Sequence, residues 1–216
     1  MPAILFSQMT PPPGREADFH DWYETEHIPV RLAVPGFLRA SRYRSVGDNT
    51  HFLAVYELAD LAVLETPEYR VVKNEPSDRT RRMLATVSGF TRFTCRELSV
   101  RGADDRTAEY LSVVAFGVPE PELAEFDEWY GSEHEPLLLR APDWRAIRRY
   151  GVVSGEGGPW TRLALHELAS LDVMSSPERA AARSGPKRDV LAGRPWFGSS
   201  GRWLYERISV ALAPSG

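Results

Sequence analysis

Residues 19–30 read FHDWYETEHIPV and residues 126–137 read FDEWYGSEHEPL, so one twelve-residue run occurs twice at an offset of 107, with six of the twelve positions identical. The likeness continues through Pro35 and Pro142, then through Arg42-Tyr43 and Arg149-Tyr150. Farther on, Tyr56-Glu57-Leu58 lies opposite His166-Glu167-Leu168 at an offset of 110. The three extra residues of the second copy fall in 154–159, a glycine-rich stretch that a hairpin loop absorbs. A repeat of this length constrains the fold before any other signal does, because each copy reads as one supersecondary unit. The expected modules are 1–100 and 109–213, joined by a polar linker at 101–108.

The 216 residues suffice for two such modules of about 100 residues each. A formal net charge of −4 gives no pull toward nucleic acid or an anionic membrane. Cys95 is the one cysteine, which rules out an internal disulfide and a multi-cysteine metal site. The first ten residues have no basic segment and too short an apolar run for a signal peptide. No stretch approaches the roughly 18 apolar residues of a membrane span. A cytoplasmic location is the expectation.

Both copies carry the same order of signals. In the first, 3–9 is an apolar strand, 16–34 has helical spacing, and 37–46 and 51–59 read as strands around the turn Gly47-Asp48-Asn49. Residues 60–86 are helical but interrupted by Pro67 and Pro76, and 89–100 alternates as a last strand. Strand-helix-strand-strand-helix-strand is the split βαβ, ferredoxin-like arrangement. A sheet with both helices on one face leaves its other face needing cover. Two such sheets in one chain can cover each other. The fold class is therefore α+β, with two ferredoxin-like βαββαβ modules paired as an intramolecular α+β barrel of approximate two-fold symmetry.

On an α-helix at about 100° per residue, Phe19, Trp22, Tyr23 and Glu26 share one stripe, with Glu26 near its middle and His27 on its flank. Phe126, Trp129, Tyr130, Glu133 and His134 repeat that placement. A carboxylate in an apolar stripe has to find a partner, reach a cavity or stay protonated. Two readings are open. Glu26 and Glu133 are structural anchors that fasten the helix end, with the histidines part of the same latch. Alternatively, His27 and His134 stand at the mouth of a pocket and move protons.

The run of aromatic residue, Trp-Tyr, Glu-His-x-Pro, then Pro35-Gly36-Phe37 and Arg42-Tyr43, resembles the dimeric α+β barrel superfamily, and within it the EthD-like proteins. The second copy, with Pro142-Asp143-Trp144 and Arg149-Tyr150, matches less closely. Members usually form the barrel from two chains, so a tandem copy looks like a fused version. The resemblance implies a pocket histidine, sometimes with a tyrosine, as acid or base. The positions that match are His27, His134, Tyr43 and Tyr150. Trp22, Trp129, Tyr23, Tyr130, Tyr56, His166 and Arg149 are the candidate substrate-binding residues.

No HxH, HExxH or cysteine-based spacing occurs, so no metal is expected. No cofactor is expected either, and haem through a lone axial histidine stays an open alternative. Neither a phosphate-binding loop nor a Gly-x-Ser-x-Gly elbow is present. Arg179, Arg183, Lys187 and Arg188 read as a solvated helix flank. Arg145, Arg148 and Arg149 read as a solvated strand face or as a carboxylate binder. The expected function is cofactor-independent acid–base chemistry, such as cyclisation, isomerisation or decarboxylation, on a small hydrophobic, aromatic or polyketide-like molecule. A monooxygenase is a weaker variant, and a non-catalytic binding or accessory protein of the EthD-like type is the alternative. The partners implied are a small-molecule ligand, with no nucleic acid and no membrane, for a pseudo-symmetric monomer or a homodimer. Where the copies differ, at Tyr56 against His166 and Cys95 against Tyr205, one pocket can specialise.

Overall fold

The computed structural model describes residues 1–103, 106 and 108–214. Its strands are β1 (Ala3–Thr10), β2 (Phe37–Ser45), β3 (Phe52–Leu58), β4 (Ser88–Gly102), β5 (Tyr110–Phe116), β6 (Trp144–Glu156), β7 (Arg162–Leu168) and β8 (Gly201–Leu212). They are hydrogen-bonded in the order β1-β3-β2-β8-β5-β7-β6-β4, an eight-stranded closed barrel. The chain divides into two compact units, 1–96 with 153–158 and 208–216, and 97–152 with 159–207. The long strands β4, β6 and β8 each supply residues to both. Of the expected linker, Arg101 and Gly102 end β4, whereas 104, 105 and 107 lie outside the described residues.

In the first unit β1 pairs antiparallel with β3 and β4, setting Phe6 opposite Val55 on one side and Phe93 on the other. β2 joins β3 with a register shift between Phe37 and Arg39. One face of this sheet carries Leu5, Met9, Phe37, Ala54 and Tyr56, packed on Phe19, Trp22, Ile28 and Leu32 of the helical layer. The alternate positions Phe6, Tyr43, Leu53, Val55 and Cys95 are buried on the other face. Burial on both faces explains why β1 and β3 read as nearly unbroken apolar runs. The second unit repeats this order, with β5 between β7 and β8 and a register shift in β6 between Trp144 and Ala146.

The first helix departs from the α-geometry that its spacing predicts. It runs as α1 (Glu16–Trp22), a π-helical turn (Tyr23–His27) and α2 (Ile28–Leu32). The Ile28 N–H donates to the Tyr23 carbonyl, five residues back. The second unit matches it with α5 (Leu123–Trp129), a π turn (Tyr130–His134) and α6 (Glu135–Leu138), where the Glu135 N–H donates to the Tyr130 carbonyl. A π turn accommodates one residue more than an α turn, so every later residue slips back by one position on the helix face. His27 thereby takes the line above Phe19 that α-spacing assigns to Glu26. His27 is 4 % exposed, whereas Glu26 is only half-buried. The expected order of the two residues, carboxylate central and imidazole on the flank, is reversed.

The segment 60–86 resolves into a 3₁₀ turn (Leu61–Glu65), α3 (Pro67–Asn74) and α4 (Asp78–Leu84). Side-chain caps start each piece. Asp60 accepts from the Ala62 N–H, Thr66 from the Tyr69 N–H, and Ser77 from the Thr80 N–H. The second unit has α7 (Pro177–Ala182) and α8 (Pro186–Ala192) in the same place in the order. In the first unit the turn into β2 brings Gly36, at φ +94°, against Val63, and a Cβ there would lie 2.4 Å from Val63 Cγ2. Gly36→Ala should therefore combine left-handed backbone strain with overpacking and lower unfolding free energy by about 2–3 kcal/mol. Urea denaturation followed by circular dichroism measures this, and Gly14→Ala, with open space around its Cβ position, serves as the control for backbone strain alone.

Candidate functional site

The helical layer of the first unit and its sheet enclose a cavity of about 540 Å³. Its wall is largely apolar, with Leu5, Met9, Val30, Val72, Leu84 and Phe90 among the lining residues. Three polar side chains in that wall hold atoms without hydrogen-bond partners. His27 Nδ1, Tyr56 Oη and Arg31 Nε are all buried and unpartnered. Leaving a buried donor or acceptor unsatisfied costs about 1–3 kcal/mol each. Such a cluster in a cavity wall is the signature of a ligand site more than of a packed core.

The π turn and the sheet position these groups. His27 is held edgewise by Tyr23 at 5.0 Å between ring centroids and against the Trp22 ring at 4.0 Å. Arg31, one turn on, donates from Nη1 to the His27 carbonyl at 3.0 Å. Its guanidinium lies 5.5 Å from the centre of the Tyr56 ring. Burial, aided by the positive charges of Arg31 and Arg42, pushes the His27 imidazole well below its usual range. His27 is thus a neutral base near pH 7. Burial raises the Tyr56 phenol to about 12, so it stays a proton donor. Neutral base, phenol and fixed cation together can remove a proton from carbon or oxygen and hold the oxyanion that forms.

Glu26 stands at the edge of the same cavity. Its carboxylate accepts from the Ser77 and Thr80 hydroxyls, the latter at 2.6 Å, and the Trp22 indole N–H donates to Thr80 Oγ1 at 2.9 Å. Those hydroxyl bonds hold the Glu26 carboxyl below its ordinary range. Trp22 and Tyr23 lie behind the wall, Tyr23 with its hydroxyl on Met9 Sδ at 3.6 Å. Tyr43, on the sheet face turned away from the helices, is not among the residues lining the cavity. Its counterpart Tyr150 is likewise outside the cavity of the second unit.

That second cavity is smaller, about 210 Å³. His134 and His166 line it, but both are engaged. His134 Nδ1 lies 2.8 Å from the Ala182 carbonyl, and His166 bridges the Tyr130 hydroxyl at 2.8 Å and the Trp144 indole N–H at 3.1 Å. Burial lowers His134 to about 4 and His166 well below its usual range. Trp129 is buried beside His134 with its indole N–H unpartnered. The Glu133 carboxylate lies against Gly185, in the space a side chain there would fill, whereas Glu26 meets Ser77.

Arg149, expected at the substrate, instead binds the protein's own acids. It donates to Asp127, lies 3.8 Å from Glu135 and covers the Tyr130 ring at 5.2 Å. Arg148 is likewise paired, with Glu167 at 3.0 Å, so Arg148 and Arg149 are buried, whereas Arg145 is exposed to solvent. Arg179, half-buried, and Arg183, exposed as a solvated flank would be, both line the smaller cavity. Sequence reading missed Arg31, although its i+4 spacing from His27 pointed to it. No group of three or more metal-ligating side chains occurs among the described residues. No helix among them is long and apolar enough to cross a membrane.

No family model matches the chain, and no curated protein matches its sequence. Solved structures do. An anthrone oxidase-like protein superposes with a TM-score of 0.73 at 16 % identity, over 99 % of this chain and 94 % of that one. A mutant chlorite dismutase from Candidatus Nitrospira defluvii gives 0.61 at 12 % identity, over 96 % and 91 %. A monooxygenase-like protein from Listeria innocua gives 0.55 at 8 % identity, over 96 % and 94 %. The chain shares the dimeric α+β barrel fold of these proteins.

His27, His134 and His166 have folded-state affinities for protons below the unfolded value near 6.5. The unfolded chain then binds more protons below pH 6.5, so stability falls as pH drops from about 6.5 toward 4. Urea midpoints measured across that range should decline. His134→Asn, which keeps a donor near the Ala182 carbonyl, should make the decline shallower.

Proposed function

We propose that the protein is a cofactor-independent enzyme acting on a small, hydrophobic aromatic or polyketide-like molecule in the cavity of the first unit, within an EthD-like lineage built by tandem duplication. The observation that carries this reading is the trio of unpartnered polar atoms, on His27, Tyr56 and Arg31, in an otherwise apolar wall. The neutral imidazole of His27 removes a proton from a carbon activated by a neighbouring carbonyl or phenol. The Tyr56 hydroxyl and the Arg31 guanidinium hold the resulting oxyanion. Glu26 anchors the helix end to α4 and does not enter the chemistry.

Cyclisation, isomerisation and decarboxylation all pass through such an anion, as the sequence reading holds. The fold neighbours, named as an anthrone oxidase-like and a monooxygenase-like protein, support its oxygenation instead. In that course the carbanion gives its electron pair to dioxygen, forming a carbon–oxygen bond and a hydroperoxide. The hydroperoxide loses water, so a CH₂ group and O₂ become C=O and H₂O. Dioxygen is the oxidant, and the proton taken by the His27 imidazole leaves with the water.

Anthrone in air-saturated buffer is the test substrate, with oxygen uptake as the measurement. His27→Ala should lower kcat by about 10²-fold or more. Tyr56→Phe, which removes only the hydroxyl, should lower it by a comparable factor with little change in thermal stability. Unchanged turnover in both variants overturns the acid–base mechanism. Binding of anthrone without turnover by the wild type assigns the protein to the non-catalytic alternative. A Soret band in the purified protein, or one gained on adding haem, would overturn the cofactor-independent reading.

A further inference from the structure

The two cavities differ in charge as well as in size. The larger one balances Arg31, Lys73 and Arg92 with Glu26 and Glu75. The smaller one is lined by Arg179, Arg183 and Arg202 and by no carboxylate. None of these three arginines has an acidic partner among the described residues. Arg179 directs Nη1 to the Met174 carbonyl at 2.7 Å, and Arg202 directs Nε to Ser200 Oγ at 3.1 Å. Their other guanidinium nitrogens make no further hydrogen bond among the described residues, and the Arg202 guanidinium lies 6.0 Å from the centre of the Phe116 ring. The histidines behind them add no negative charge, since both are neutral near pH 7.

Three like charges around about 210 Å³ repel one another unless an anion joins them. Burial, followed by the neighbouring arginines, accordingly lowers the proton affinity of Arg179. Burial and the charges of Arg183 and Arg188 do the same to Arg202. Beneath the cations the wall turns apolar, with Val114, Leu138, Trp144, Met174 and Leu204. A planar guanidinium is suited to a carboxylate, which it can grip with two parallel hydrogen bonds. We propose that the cavity of the second unit binds a small organic carboxylate, its apolar body against Trp144 and its carboxylate between Arg179, Arg183 and Arg202. This site is separate from the proton-transfer site and stands whether or not the first cavity turns over a substrate.

Benzoate and its neutral isostere benzamide are the probes, titrated against the intact protein by calorimetry and by the fluorescence of Trp144 and Trp203, which both line the cavity. Benzoate should bind saturably, at least tenfold more tightly than benzamide. The double variant Arg179→Gln/Arg202→Gln should lose tenfold or more of the benzoate affinity. Arg183→Gln, at an exposed position, should lower it by a smaller factor without altering thermal stability. Equal binding of benzoate and benzamide overturns the proposal. So does undiminished benzoate binding by the double variant, or no benzoate binding by the wild type at 10 mM, a concentration on the order of that needed for even a weak carboxylate site.

Discussion

One extra residue in a helical turn governs what this protein presents to its cavities. The π turn at Tyr23–His27 replaces an i→i−4 closure by one from Ile28 to Tyr23, and the same replacement joins Glu135 to Tyr130. Its effect is rotational. Trp22 and Tyr23 stay in the core, the glutamate swings to the edge, and the histidine enters the layer between helix and sheet. Without it, a carboxylate would point into an apolar face at a cost of several kcal/mol. With it, the imidazole is the polar group that burial has to accommodate, and burial keeps it neutral.

The element order, the antiparallel strands and the α+β class are legible in the sequence because hydrophobic alternation and proline punctuation report on local geometry. The residues facing the cavity are less legible. The 100° step that reads Glu26 as central holds only for an unbroken α-helix, and nothing in the alternation of Phe19, Trp22 and Tyr23 announces a wide turn. That Tyr43 and Tyr150 do not line the two cavities is hidden from the sequence for a related reason. Strand parity fixes which residues share a face, but only the packed structure says which face meets the helices. Arg179 and Arg183 resemble any solvated pair at i, i+4, and their place in a cavity wall depends on where α7 docks. Tyr56 and His166, where the repeat breaks, each line the cavity of their own unit.

That break extends beyond one position. In the first unit Trp22, Thr80, Glu26 and Ser77 form one hydrogen-bonded group. In the second, Gly185 faces Glu133 and the Trp129 indole N–H has no partner. The first unit leaves Tyr56 and His27 unpartnered in a roomy apolar cavity, whereas the second ties its histidines to Ala182, Tyr130 and Trp144. The same scaffold thus holds one cavity with an unpartnered imidazole and phenol and one whose imidazoles are already committed, the latter lined by three arginines with no acidic partner among the described residues.

The Trp144–His166–Tyr130 bridge has a direction. An indole nitrogen only donates, so His166 Nδ1 has to be the bare nitrogen and Nε2 has to carry the hydrogen. That hydrogen goes to the Tyr130 oxygen, which leaves the phenol's own hydrogen facing outward from the bridge. Each group in the row fixes the orientation of the next. A proton added at His166 would set two N–H groups nose to nose with the indole. The row therefore has one polarity, running from the Trp144 indole through His166 to the buried Tyr130 oxygen, and it holds the His166 ring in a single tautomer.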